Sequence, residues 1–113
     1  MSDFLRGLGG QMPTMPVVKS VPEYAYEALA RQVADFQDNL TPDQEVGISV
    51  SGSDSVVHVR SIRQAGQMVV FDGVDNQSRP ARLIQHYTQV NVQMIAVDKL
   101  HERANRIGFH IDG

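Results

Sequence analysis

Residues 20–50 read SVPEYAYEALARQVADFQDNLTPDQEVGISV, and within this stretch the hydrophobic period changes from that of a helix to that of a strand. Apolar residues first recur at three- and four-residue spacing, which places them on one stripe of an α-helix. The stripe comprises Tyr26, Leu29, Ala30, Val33, Phe36 and Leu40. From Val46 to Val50, apolar residues alternate with Gly47 and Ser49, as in a strand with one buried face and one face of very small residues. The stretch therefore predicts a helix that leads directly into a sheet.

Both ends of the predicted helix carry boundary signals. Ser20 and Glu23 form a capping-box pattern, in which the Ser hydroxyl accepts a hydrogen bond from the third helical amide and the Glu carboxylate reaches back to the Ser amide. Pro42 restricts Thr41 to extended geometry, which ends the helix.

Downstream of residue 50, short apolar runs are separated by clusters of turn-forming residues. The runs predict strands at residues 56–62, 68–71, 81–87 and 92–97, with a helical turn at 88–91 and a short closing strand at 107–111. Residues 83–97 also partly satisfy helical spacing, so one continuous helix there is an alternative. The predicted fold class is α+β, with an N-terminal helix followed by a five-stranded, strongly bent antiparallel sheet or small barrel.

The length of 113 residues fits one domain, which we place at residues 20–113. Residues 1–19 are rich in Gly, Pro and Met, and we predict a flexible apolar arm there, with docking onto the domain or another subunit as the alternative. The chain has no Cys, which excludes disulfides, thiolate metal sites and a cysteine nucleophile. We expect a cytoplasmic protein with no membrane partner, because no apolar run approaches the length of a membrane helix and no signal peptide is recognisable.

The net charge of −3 hides an asymmetry between the two halves of the chain. Residues 20–55 carry seven anions against one cation, whereas residues 56–106 carry seven cations against four anions. A basic sheet surface could receive an anionic ligand or an acidic neighbouring subunit, although solvated faces of unequal sign explain the same counts.

Catalytic templates fail on residue supply or spacing, so we predict a protein that is not an enzyme and needs no metal or cofactor. The alternative of an enzyme needs a site assembled between subunits. His58, His86, His101 and His110 lack the spacing of metal ligands. No Gly-x-Ser-x-Gly elbow occurs, and the Gly-rich stretch at residues 7–10 lacks the Lys of a phosphate-binding loop.

Polar side chains suited to binding are densest where the fourth predicted strand ends. Arg82 can neutralise phosphate, Gln85 can bond a base edge or a peptide group, and His86 and Tyr87 can stack on a base. The same residues could equally form the outer face of a strand and satisfy the local backbone.

Blocks of sequence along two thirds of the chain resemble a family of small bacterial and phage proteins classed only as a domain of unknown function. The blocks are Phe36-Gln37, Glu45-Val46-Gly47, Leu83-Ile84-Gln85-His86, Gln89-Val90-Asn91, Ala96-Val97 and Arg106-Ile107-Gly108-Phe109. This resemblance implies no activity, because none is established for the family.

The order of one capped helix and five short strands is similar to that of the Sm-like RNA-binding proteins. Those proteins form small bent barrels, join edge to edge into rings, and bind RNA at loops near the third and fourth strands. A Lys-His pair ends the fourth strand in the bacterial members, and Gln85-His86 falls at the similar place here, with Phe71 ending the third strand. The resemblance adds Phe71 to the predicted ligand site of Arg82, Gln85, His86 and Tyr87.

The leading functional hypothesis is a non-catalytic, homo-oligomeric small barrel, arranged as a ring, that binds RNA or a small nucleotide. One alternative is a protein-protein interaction module that uses the helix and the apolar arm. Another is a phage-type sponge that sequesters a cyclic nucleotide signal in a pocket between subunits.

Overall fold

The computed structural model describes residues 18–109, so the predictions for residues 1–17 and 110–113 lie outside the described residues. Over the described range the chain forms one α-helix, six strands and one 3₁₀ helix. In chain order they are α1 (Val21–Asp38), β1 (Gln44–Val50), β2 (Val57–Ala65), β3 (Met68–Val74), β4 (Pro80–His86), the 3₁₀ helix (Tyr87–Gln89), β5 (Val92–Asp98) and β6 (Gly108–Phe109).

Helix α1 begins with the predicted capping box. The hydroxyl of Ser20 accepts from the backbone N–H of Glu23 at 3.3 Å, and the carboxylate of Glu23 accepts from the backbone N–H of Ser20 at 3.2 Å. These hydrogen bonds hold the pKa of Glu23 below its ordinary value, with the Ser20 backbone N–H as the largest cause. The helix ends at Asp38, and the side chain of Asn39 donates back to the carbonyl of Asp35 at 2.9 Å.

The predicted apolar stripe faces the sheet. Tyr26, Ala30 and Val33 are buried, while the remaining members of the stripe are partly buried against the same core. The hydroxyl of Tyr26 donates to the carbonyl of Ile62 on β2 at 2.7 Å, which ties the helix to the middle of the sheet. The core consists of Tyr26, Ala30, Val33, Val46, Ile48, Val59, Ile62, Val69, Phe71 and Ile107.

The sheet is an antiparallel, curled half-barrel with the strand order β4-β3-β2-β1-β5. Strand β2 bends at a bulge between Val59 and Ser61, so its first residues pair with β1 and its second half pairs in parallel with β6. Opposite the bulge, a Cβ on Gly73 would lie 1.9 Å from the carbonyl oxygen of His58. Only glycine allows the two backbones to approach this closely.

Both faces of β1 are buried, because small residues on one face let other side chains pack over it. A Cβ on Gly47 would lie 2.9 Å from both Val56 and Val97, so the glycine leaves room for a second layer of side chains on this face. Glu45 and Ser49 lie on the same face and are also buried.

The alternative of one helix over residues 83–97 is wrong. β4 pairs with β3 along its whole length, β5 pairs with β1 along its whole length, and a single 3₁₀ turn joins them. Strands β2 and β3 extend to Ala65 and Val74, beyond the predicted ends at residues 62 and 71. Within residues 18–109, no helix is long and apolar enough to cross a membrane.

Candidate functional site

Four of the five residues predicted to bind a ligand lie on β4 and at the start of the 3₁₀ helix, but they do not all face one way. Arg82 and His86 share one face of β4 with Ile84, because side chains alternate along a strand. They are four residues apart, which corresponds to about 13 Å of extended chain. Gln85 shares the other face with Leu83, which packs against the core. The predicted cluster is therefore divided between two faces.

His86 and Tyr87 lie against Gln67 of the β2–β3 turn. We call the polar and aromatic surface formed by Gln67, His86, Tyr87 and Thr88 the His86 step. Nδ1 of His86 accepts from the backbone N–H of Thr88 at 3.3 Å, so the ring proton lies on Nε2, which donates to Oε1 of Gln67 at 2.8 Å. The backbone N–H of Tyr87 donates to the carbonyl of Gln67 at 2.9 Å. The two rings lie 4.9 Å apart between centroids and are tilted by 31°. Both rings are partly exposed and could contact a base.

Gln85 and Phe71 have packing and backbone partners instead of open surface. Oε1 of Gln85 accepts from the backbone N–H of Asn91 at 3.1 Å, which holds the chain where it leaves the 3₁₀ helix. Phe71 is completely buried in the core, so the structure does not support its predicted place in a ligand site. Because β3 continues to Val74, Phe71 lies in the middle of its strand and not at the end.

Asp72 lies between two arginines on the outer face of β2, β3 and β4. Nε of Arg82 is 2.5 Å from one carboxylate oxygen of Asp72, and Nε of Arg63 is 3.6 Å from the other. Asp72 and Arg82 are directly opposite in the antiparallel register, which places their side chains next to each other. One carboxylate against two guanidinium groups leaves a positive surplus on an exposed surface, beside a shallow cleft of about 250 Å³. This group of charges can attract phosphate.

A buried hydrogen-bonded pair was missed at the sequence level. Glu45 on β1 and His58 on β2 are each 2% exposed, and Oε2 of Glu45 is 2.6 Å from Nδ1 of His58. The other oxygen of Glu45 accepts from the backbone N–H of Asn105 at 2.9 Å, and Nε2 of His58 lies 2.7 Å from Oδ1 of Asn76. No local pattern reveals the pair, because its members come together only when β1 and β2 align Gly47 opposite His58.

In the described part of the chain, no group of three or more His, Asp or Glu side chains is placed to hold a metal ion. No protein-family model matches the chain, and neither a search of curated proteins nor one of solved structures finds a significant match.

Proposed function

We propose that this chain is one subunit of a homo-oligomeric, Sm-like ring that binds single-stranded RNA without catalysis. The observation that carries the proposal is the pair of open edges of the half-barrel. Within residues 18–109, β4 and β5 each have a strand neighbour on one side only, and each is seven residues long. Edge strands of this length leave a row of unpaired backbone groups, which are either protected or used for pairing with another chain.

The two edges favour pairing between copies. β5 has the sequence VQMIAVD, with neither the Lys nor the Pro that commonly blocks an edge. β4 carries its Pro at the first residue, Pro80, and presents Ile84, which is 52% exposed, further along the edge. If β4 of one copy pairs with β5 of the next, the contact is head-to-tail, and such contacts generate a ring when the rotation closes. The Sm-like proteins, which the chain resembles in the order of its elements, assemble edge to edge.

The outer face of β4 carries side chains for the two contacts that bind single-stranded RNA, phosphate neutralisation and base stacking. Arg82 and Arg63 can neutralise phosphates, and the His86 step can stack on a base. Because Arg82 and His86 are about 13 Å apart along β4, a strand of RNA reaches both more readily than a single nucleotide does. This spacing favours RNA over a small nucleotide.

A second candidate function, a protein-interaction module, has an observation of its own. Val21 and Tyr24 lie in the first turn of α1 and Val18 precedes the helix, and the three side chains are 65%, 59% and 78% exposed. Exposed apolar residues grouped in this way can mark a protein contact.

We expect the purified protein to be an oligomer at micromolar concentration when its mass is measured by static light scattering. Ile84→Lys should lower that mass, because a charge on an open edge opposes strand pairing. Ala28→Lys is the matched control, since it adds the same charge at an exposed position on α1. A wild-type monomer would contradict the ring, as would an equal effect of the two substitutions.

We expect His86→Ala to weaken the binding of a short single-stranded RNA by about 1–3 kcal/mol, the usual contribution of one stacked base. Arg82→Ala should also weaken binding and reduce the salt dependence by about one counterion. Gln85→Ala should lower the melting temperature and leave the affinity nearly unchanged, because Gln85 holds the backbone of Asn91. Fluorescence anisotropy at several salt concentrations measures these effects, and a wild-type affinity for His86→Ala would place the RNA site elsewhere.

A further inference from the structure

Strand β5, the second open edge of the half-barrel, carries an amide side chain on the face that is turned away from the core. Val92 and Met94 pack against the core, so Gln93, which lies between them, points to the opposite face. Gln93 is exposed, and its side chain has no hydrogen-bond partner within residues 18–109. Asp98, the one charged residue of β5, alternates to the core side. The outer face of β5 itself therefore carries no anion that would repel a phosphate.

The corresponding face of β4 carries the side chains proposed to bind RNA. Arg82 and His86 lie on it because Leu83 packs against the core and side chains alternate along the strand. Neighbouring strands of a sheet share their two faces. When β4 of one copy pairs with β5 of the next copy and the two cores lie on the same side, Gln93 of the partner subunit joins the face that holds Arg82 and His86.

The alternation of side chains limits the register of this pairing. All neighbours in the order β4-β3-β2-β1-β5 are antiparallel, and directly opposite residues of an antiparallel pair lie on one face. Full antiparallel overlap of the two seven-residue strands sets the core-facing Leu83 opposite the outward-facing Ile95, so it is excluded. A shift of one residue in either direction restores the match. It places Gln93 of the partner subunit opposite His86 in one case and opposite Ile84 in the other.

Both registers bring Gln93 of the partner subunit within reach of a base that is stacked on His86. Directly opposite side chains have Cβ atoms about 4.5–5.5 Å apart, and diagonal neighbours are about 7–8 Å apart. Stacking on His86 alone does not distinguish the bases, because every base has a π-face. A glutamine amide has a donor and an acceptor side by side, and it can bond the edge of a base whose face is already stacked.

We propose that each RNA site spans two subunits, with Arg82 and His86 on one copy and Gln93 of the partner subunit as the residue that selects the base. The inference rests on the proposed function, because it needs both the ring and the RNA. It adds that a single subunit holds only part of the site, so that base preference depends on assembly.

The first test compares Gln93→Ala with Gln32→Ala, which removes the same amide from an exposed position on α1. Fluorescence anisotropy measures the binding of short labelled oligo(A), oligo(C) and oligo(U), and static light scattering measures the oligomeric mass. Gln93→Ala should weaken binding of the preferred homopolymer by about tenfold, within the range expected for one amide-to-base contact. It should keep the wild-type mass, because the side chain lies on the face of the sheet and not in the backbone ladder. Gln32→Ala should match the wild type in both measurements.

The second test uses mixed oligomers to ask whether the residues act across an interface. Co-expression of the His86→Ala and Gln93→Ala chains creates some interfaces that join an intact β4 to an intact β5, so part of the lost affinity should return. Co-expression of the His86→Ala and Arg82→Ala chains is the matched control. Both of those changes lie on β4, so no interface regains a complete site and no affinity should return.

The outcomes separate this inference from the proposed function. A wild-type affinity for Gln93→Ala overturns the composite site, as does a lack of recovery in the first mixture or an equal recovery in both mixtures. The proposed function survives each of these results if His86→Ala still weakens RNA binding. A wild-type chain that is a monomer, or that binds none of the three homopolymers, overturns the proposed function and the composite site together.

Discussion

Val33→Asp is expected to abolish soluble folding. Val33 is completely buried where α1 packs against the sheet, and it belongs to the one hydrophobic core of the described residues. A carboxylate placed there has no cation or hydrogen-bond donor prepared for it, and burying an unpaired charge costs several kcal/mol. A domain of this size has only about 5–15 kcal/mol of stability to lose. Circular dichroism melts and the soluble yield measure the effect.

Two neighbouring substitutions act as controls for Val33→Asp. Asp35→Ala should be nearly silent, because the Asp35 side chain is exposed and only its backbone carbonyl is used, by Asn39. Phe36→Asp should be destabilising but less so than Val33→Asp, since Phe36 is only partly buried. A stable Val33→Asp variant together with an unfolded Asp35→Ala variant would mean that α1 faces the sheet with its other side.

The helix was predictable because its determinants are local. The capping box joins Ser20 to Glu23, and the stripe repeats within a single helix, so neither depends on distant parts of the chain. Glu27 shows the limit of this reasoning. It lies beside the stripe and is nevertheless buried, and Nζ of Lys19, 2.6 Å from its carboxylate, compensates the buried charge.

The strands were predictable in order but not in extent. The ends of β2 and β3 depend on how far the two strands remain paired. Their pairing continues from the Ala65–Met68 pair to the His58–Val74 pair across a bulge. Likewise, residues 83–97 carry a partly helical spacing, and pairing of β4 with β3 and of β5 with β1 overrides it. Pairing between distant segments leaves no local pattern.

Of the side chains that form the candidate site, the sequence indicated those on β4 but not their partners on other strands. Arg82 and His86 lie on one accessible face of β4, whereas Phe71 belongs to the core and Gln85 supports the backbone. The partners that give the site its character come from other strands. Asp72 is brought to Arg82 by the β3–β4 register, and Gln67 is brought to His86 by the β2–β3 turn.

His58→Ala is expected to lower the free energy of unfolding by about 3–5 kcal/mol, because it leaves the buried carboxyl group of Glu45 without its hydrogen-bond partner on β2. The variant leaves the carboxylate of Glu45 buried, with the backbone N–H of Asn105 as its one remaining hydrogen-bond donor among the described residues. It also removes the anchor of Asn76, which links β2 to the β3–β4 connection. Urea denaturation followed by circular dichroism gives the difference in free energy.

A double-mutant cycle distinguishes an unpaired buried charge from a simple loss of packing. Adding Glu45→Leu to His58→Ala should restore part of the lost stability, because the buried carboxylate is then gone and an apolar side chain fills its place. His101→Ala is the matched control, since His101 is exposed and its nearest polar contact is Ser78 at 3.4 Å, so its stability should stay within about 0.5 kcal/mol of wild type. If the double variant is less stable than His58→Ala alone, the loss of stability comes from packing around the imidazole and not from the unpaired carboxylate of Glu45. If His58→Ala behaves like His101→Ala, the pair does not hold β1 and β2 together.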